Sequence, residues 1–158
     1  MPPDQITNTP TQELTTHPDN PRHGDIGAIT TSIEQNGWYG TLVAQRSTSR
    51  VLVGNHRLVA AIGLGLAEVP VYWVDCDDDE ARRILVADNR TSDLAAYDEP
   101  GLASLLQAVM ASTDGLVGTG YDGDDLDELL ADIRCGDPIF SSDEGEPCTD
   151  CGWMRRRA

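Results

Sequence analysis

A glycine stands where an apolar run meets a stretch of helical spacing: Val51-Leu52-Val53 leads into Gly54-Asn55-His56-Arg57, which opens Leu58-Val59-Ala60-Ala61-Ile62. That order predicts a strand feeding a helix through a turn that uses glycine's backbone freedom, and so a fold that packs helices on a sheet. The first turn of such a helix presents unpaired backbone N–H groups and the positive end of its dipole. With Arg57 in that turn, Gly54, Asn55, His56 and Arg57 form a candidate site for a phosphate, with His56 as a further donor or a general acid/base. An ordinary strand-to-helix turn, with Arg57 in a surface ion pair and His56 half buried, would carry the same residues. The turn alone leaves both readings open.

The rest of the chain extends the same pattern. Residues 1–16 are rich in Pro, Thr, Asp and Gln, with Ile6 and Leu14 their large aliphatics, and read as an extended or loosely packed arm. His17-Pro18-Asp19-Asn20-Pro21-Arg22-His23-Gly24 is a dense set of turn formers. Asp25 can cap a helix whose Ile26, Ile29 and Ile33 share a face and which stops near Gly37. Leu42–Gln45 and Val51–Val53 flank the polar Ser47-Thr48-Ser49 and predict a hairpin. The helix after Gly54 runs to the glycines at 63 and 65, and Val69–Val74 follows as a strand. Asp77 to Glu80 then open a third helix with a stripe of Ala81, Ile84 and Leu85, closed by Asp88-Asn89-Arg90.

Beyond Leu94 the pattern is helical only. One helix starts at Asp98-Glu99-Pro100 and carries Leu102, Leu105, Leu106 and Val109. Another follows Tyr121-Asp122 with Leu126, Leu129, Leu130 and Ile133. The expected fold class is therefore α/β (α+β), a small mixed sheet with helices followed by a C-terminal helical extension. The expected divisions are an arm at 1–16, a core domain at 17–95, the extension at 96–134 and a flexible, cysteine-containing tail at 135–158.

Composition narrows the function classes. The 158 residues hold 27 acids and 11 basic residues, a formal charge of −16. A protein that gains affinity from many phosphate contacts usually presents a strongly basic face, so non-specific duplex binding by this chain alone is not expected. All basic residues are arginine, which excludes Schiff-base chemistry and a P-loop lysine. No run approaches the roughly 18 apolar residues that span a bilayer, so no membrane partner is expected. The N-terminus carries neither a basic nor an apolar region, which makes the expected location cytoplasmic and the four cysteines thiols or metal ligands.

Other constellations are less specific. Asp88 and Asn89 offer oxygen ligands suited to Mg²⁺ that also touches phosphate, although polar residues at a helix end are equally a solvated cap. Trp38 and Tyr39 between glycines can line a nucleotide pocket or cover the edge of the core, and the core reading is favoured for Trp38. Cys148 and Cys151 have the C-x-x-C spacing of a zinc knuckle with Cys135 thirteen residues before. Zn²⁺ would still need a fourth ligand, so free thiols are preferred. The acids at 122–128 read as caps and solvated faces.

Three segments in order, Asn20-Pro21-Arg22, Ser32-Ile33-Glu34-Gln35-Asn36-Gly37 and Gly54-Asn55-His56-Arg57, resemble the N-P-R, S-I-x-x-x-G and G-E-R-R or G-C-H-R segments of the ParB N-terminal domain in the ParB/sulfiredoxin superfamily. The resemblance covers roughly residues 14–95, and the remainder looks like the ParB-like proteins of bacteriophages and actinobacteria, some of them labelled nucleases. It implies a fold that binds a nucleotide phosphate at the Gly54 turn, with Arg22 and Gly37 joining the site. It also implies a nucleoside triphosphate, CTP or ATP, with Mg²⁺. DNA, a DNA-modifying protein or a second copy of the chain are the further partners it brings. Asn55 stands where sulfiredoxins carry cysteine, which rules out their repair of sulfinic acid. The family's E-N-x-x-R-x-D-L box is met in part by Asp88, Asn89, Asp93 and Leu94. Clamp behaviour on a centromere is not expected, because the helix-turn-helix domain that accompanies it needs many more residues. Partition, DNA modification or regulation remain as roles, beside a metal-dependent nuclease or phosphotransferase and a non-catalytic acidic module that docks a DNA-modifying or defence protein.

Overall fold

The computed structural model describes residues 6–135, 145–147 and 154–156, and the chain divides into two compact units at Ala95/Ala96. The first unit is a five-stranded mixed sheet with three helices. Its strands are β1 (Ile6–Pro10), β2 (Thr15–Thr16), β3 (Leu42–Gln45), β4 (Arg50–Val53) and β5 (Glu68–Val74), in the spatial order β1-β5-β3-β4-β2. β1 runs antiparallel to β5, β5 parallel to β3, β3 antiparallel to β4 and β4 parallel to β2. The helices are α1 (Ile26–Asn36), α2 (Asn55–Gly63) and α3 (Asp78–Asp93).

Residues 6–16, read from the sequence as an arm, supply both edge strands of this sheet; Met1 to Gln5 lie outside the described residues. Thr9 and Thr11 are buried, and the Thr11 hydroxyl donates to the Leu66 carbonyl at 2.8 Å. Polar threonines can enter the sheet because their hydroxyls find partners there.

The core lies where β3, β4 and β5 meet the inner face of α2. Leu42, Val51, Leu58, Ala61 and Val71 are fully buried, with Trp38, Leu66 and Trp73 packed around them. Each large aliphatic so buried stabilises the fold by about 1.5–3 kcal/mol relative to exposure. Gln45 is a polar side chain of the interior at 1% exposure. Its amide donates to the Cys76 carbonyl and Asp78 Oδ1, each at 3.1 Å, and its Oε1 accepts from the Thr48 hydroxyl at 2.6 Å. It thereby ties the β3–β4 hairpin to the start of α3.

Helix ends follow their local chemistry. Asp25 accepts from the Ala28 N–H at 2.9 Å to start α1, and Asp77 with Glu80 forms a reciprocal capping box at the start of α3. α2 closes with the Leu66 N–H on the Ala61 carbonyl and the Gly65 N–H on the Ile62 carbonyl, Gly65 sitting at φ +70°. α3 is longer than its sequence suggests, running past Arg90 to Asp93. The Thr91 and Ser92 hydroxyls bond back to the carbonyls of Ala87 and Asp88, at 2.8 and 2.9 Å, so these poor helix formers continue the helix.

The second unit holds α4 (Glu99–Met110), α5 (Gly123–Cys135) and a small antiparallel pair, β6 (Gly145–Pro147) and β7 (Met154–Arg156), the last two within the segment expected to be a flexible tail. α4 and α5 pack together, burying Ala103, Leu106 and Leu126. Asp122 caps α5 by accepting from the Asp124 and Asp125 N–H groups. Among the described residues no helix is long and apolar enough to cross a membrane.

Candidate functional site

Gly54 adopts φ 91° and ψ 26°, left-handed geometry that side chains disfavour, and a Cβ there would stand 2.5 Å from Leu42 Cδ2. The turn is therefore closed tightly onto β3, and α2 starts with no side chain capping it. The first donor used within α2 is the Leu58 N–H, which bonds the Gly54 carbonyl at 3.0 Å. The N–H groups of Asn55, His56 and Arg57 lie ahead of it, at the positive end of the helix.

These residues floor a cleft of about 220 Å³. One wall is the loop after β2, through Asn20 and Arg22. A second wall is one face of α3, through Asp88, Asn89 and Ser92, and Ile29 of α1 and Leu52 of β4 complete the lining. The charged lining groups are two guanidiniums, Arg22 and Arg57, against one carboxylate, Asp88. Two guanidiniums and one carboxylate thus share the lining of one cleft in a chain of net charge −16.

The wall formed by His17 to Gly24 is pinned along its length. The His17 N–H donates to Asn55 Oδ1 at 2.8 Å, and Asn20 Oδ1 accepts from Asn89 Nδ2 at 3.3 Å. Arg22 Nη1 donates to the Asn89 carbonyl at 3.3 Å and pairs with Asp93 at 3.1 Å, while Asp19 pairs with Arg82 at 3.4 Å. The Gly24 N–H donates to His56 Nε2 at 3.0 Å, which in the neutral imidazole places the proton on Nδ1.

Arg57 is held by the segment after α1. Its Nη1 donates to the Tyr39 carbonyl at 3.3 Å, and its guanidinium carbon lies 5.1 Å from the Tyr39 ring centre. A Cβ at Gly40 would come within 2.7 Å of Nη1, so glycine there makes room for the arginine. Tyr39 is 53% exposed and bonds the Ser32 hydroxyl, whereas Trp38 packs against the core and donates to the Gly40 carbonyl.

Of the residues singled out from the sequence, Gly54, Asn55, His56, Arg57, Arg22, Asp88 and Asn89 come together around this cleft. Gly37 does not; it ends α1 at φ 72° outside the lining. The Asn55 side chain is buried, and its Oδ1 accepts from the His17 N–H. Asp88 and Asn89, read as a helix end, stand inside α3. That interior position puts them on one face with Ser92, which the sequence reading missed and which the i, i+4 spacing from Asp88 would have found had the helix been continued. Asn20, Ile29 and Leu52 were likewise missed as lining residues.

Oxygen ligands for a cation are present but few. Asp88 takes part in no ion pair among the described residues, and Asn89, with its Nδ2 on Asn20, keeps Oδ1 as an acceptor. Among the described residues no three His, Cys, Asp or Glu side chains converge on one point. Cys135 ends α5, its side chain beyond description, and Cys148 and Cys151 lie outside the described residues, so the zinc expectation falls there too. Burial, with Glu80, Asp77, Asp75 and Asp78 around it, pushes the Cys76 thiol up and makes it a poor nucleophile.

No protein-family model and no curated protein matches the chain in sequence. Solved structures do match in fold. The C-terminally truncated chromosome-partitioning protein ParB from Caulobacter crescentus, complexed with CTP-gamma-S, superposes with a TM-score of 0.68 at 19% identity, over 84% of this chain and 81% of that one. Looser likenesses are a Pnob8-like ParB-N domain, with a TM-score of 0.48 at 16% identity over 96% of this chain and 56% of that one, and sulfiredoxin from Arabidopsis thaliana. The sulfiredoxin match has a TM-score of 0.41 at 21% identity, over 51% of this chain and 97% of that one. The fold is like that of the ParB structure, in keeping with the resemblance carried by the three sequence segments.

Proposed function

We propose that this ParB-like chain binds the phosphate chain of a nucleoside triphosphate, CTP or ATP, at the Gly54–Arg57 turn, and acts in DNA partition, modification or regulation. The observation that carries the reading is the start of α2, which no side chain caps and whose Arg57 guanidinium takes part in no ion pair among the described residues, inside a strongly acidic chain. The fold shared with a partitioning protein bound to CTP-gamma-S supports the choice of ligand class. The overall charge favours a small anion over bare duplex DNA.

Within this reading the backbone N–H groups of Asn55, His56 and Arg57 receive phosphate oxygens, and Arg57, braced by Tyr39, adds a charge-assisted contact. His56 holds the loop through Nε2 and can donate from Nδ1, so its first role is positioning rather than acid/base chemistry. Asp88 and Asn89 Oδ1 fit an Mg²⁺ shared with phosphate, which would offset the charge of neighbouring phosphate oxygens.

Calorimetry with CTP, ATP and GTP, each with Mg²⁺, tests the assignment. One nucleotide binds the wild type, and Arg57→Ala weakens it by about ten- to a hundred-fold, as loss of a charge-assisted hydrogen bond does. No binding to the wild type, or equal binding to the variant, removes the site.

A further inference from the structure

Arg22 reaches the cleft with its charge already engaged. Its Nη1 donates to the Asn89 carbonyl at 3.3 Å and is ion-paired with Asp93 Oδ1 at 3.1 Å. Asp93 is the last residue of α3 and does not line the cleft, so it holds the arginine from outside the site. The two side chains are 44% and 54% exposed, which makes the pair a weak, solvent-screened one that a stronger anion can exchange.

Resting on the reading of the cleft as a phosphate site, we infer that Asp93 is a built-in competitor for Arg22, a positioning residue that keeps this guanidinium from the ligand until phosphate displaces it. Carboxylate and phosphate offer the arginine the same chemistry, paired anionic oxygens. A phosphate that takes Arg22 through both terminal nitrogens therefore competes with Asp93 for Nη1. Arg57 has no such competitor among the described ion pairs, and its braces are a carbonyl and a ring face, which leave its charge unopposed. The two arginines thus divide the work: Arg57 is ready for the ligand, and Arg22 is recruited from Asp93.

The test is titration of the full chain with inorganic tripolyphosphate by calorimetry, comparing wild type with Asp93→Asn, Asp93→Ser, Arg22→Ala and the Arg22→Ala/Asp93→Asn double variant. Both Asp93 variants bind about two- to five-fold more tightly than wild type, the range that an exposed ion pair commands. Arg22→Ala binds more weakly, and in that background Asp93→Asn changes nothing, because Asp93 acts through Arg22. Removal of one negative charge by general electrostatics would instead strengthen binding equally in both backgrounds, which overturns the inference. So does wild-type affinity, or weaker binding, in both Asp93 variants while the wild type binds normally; that result leaves the phosphate site standing. Absence of tripolyphosphate binding in every chain overturns the site and the competitor together.

Discussion

Alanine at position 54 meets two penalties at one turn. The backbone at φ 91° disfavours a side chain, and the new Cβ lies 2.5 Å from Leu42 Cδ2 in a fully buried part of the core. Left-handed geometry costs about 1–2 kcal/mol and overpacking about 1–3, so Gly54→Ala is expected to lower stability by about 2–4 kcal/mol in urea unfolding. A wild-type midpoint for that variant would show that the turn relaxes freely, and the tight approach of α2 to β3 would then not be needed. The need for glycine here was legible in the sequence because it arises between neighbours, a strand and the helix that follows. The fates of Asn55 and His56 were not. Their partners, the N–H groups of His17 and Gly24, lie 38 and 32 residues away, and nothing local signals which buried amide or imidazole will be claimed by a distant backbone.

Helices and the central strands were readable because their apolar residues repeat with the period of the element that buries them. Thus α1, α2, β3, β4 and β5 appear close to where the spacing puts them. β1 was not readable, since Ile6-Thr7-Asn8-Thr9-Pro10 lacks alternation and joins the sheet by pairing with β5 some sixty residues on. The extension of α3 was hidden for a similar reason, as Thr91 and Ser92 satisfy their hydroxyls on the helix itself. In the second unit, burial and a hydrogen bond to Tyr97 push the Tyr121 phenol up, with Asp125 adding to the shift. An acid whose value is raised on folding contributes stability that is whole below the unfolded phenol value of about 10 and is lost as pH climbs through the folded one. The stability of this unit, followed by circular dichroism from pH 8 to pH 12, is therefore expected to fall off in the alkaline range. Tyr121→Phe should flatten that fall. An unchanged alkaline slope in the variant would place the titration elsewhere.

At the scale of the whole chain, charge and site pull in opposite directions: the sequence carries 27 acids against 11 basic residues, while the cleft lining carries two arginines and one aspartate. A net charge of −16 repels any polyanion at long range, while the helix start and the guanidiniums attract one at contact. On the proposed reading of the cleft, the balance favours a small anion over a long polyanion. Every lining residue, the pinned loop, Asp93 and the aliphatic core lie before the division at Ala95/Ala96. A fragment of residues 1–95 is accordingly expected to fold alone, with a single cooperative urea transition and with amide shifts of Gly54 to Arg57 that match those of the full chain. Its affinity for tripolyphosphate should stay within about two-fold of the full chain's, since a contribution below about 0.4 kcal/mol changes binding by no more than that. A fragment that unfolds, or one that folds but loses affinity ten-fold, would show that residues beyond Ala95 complete either the core or the site.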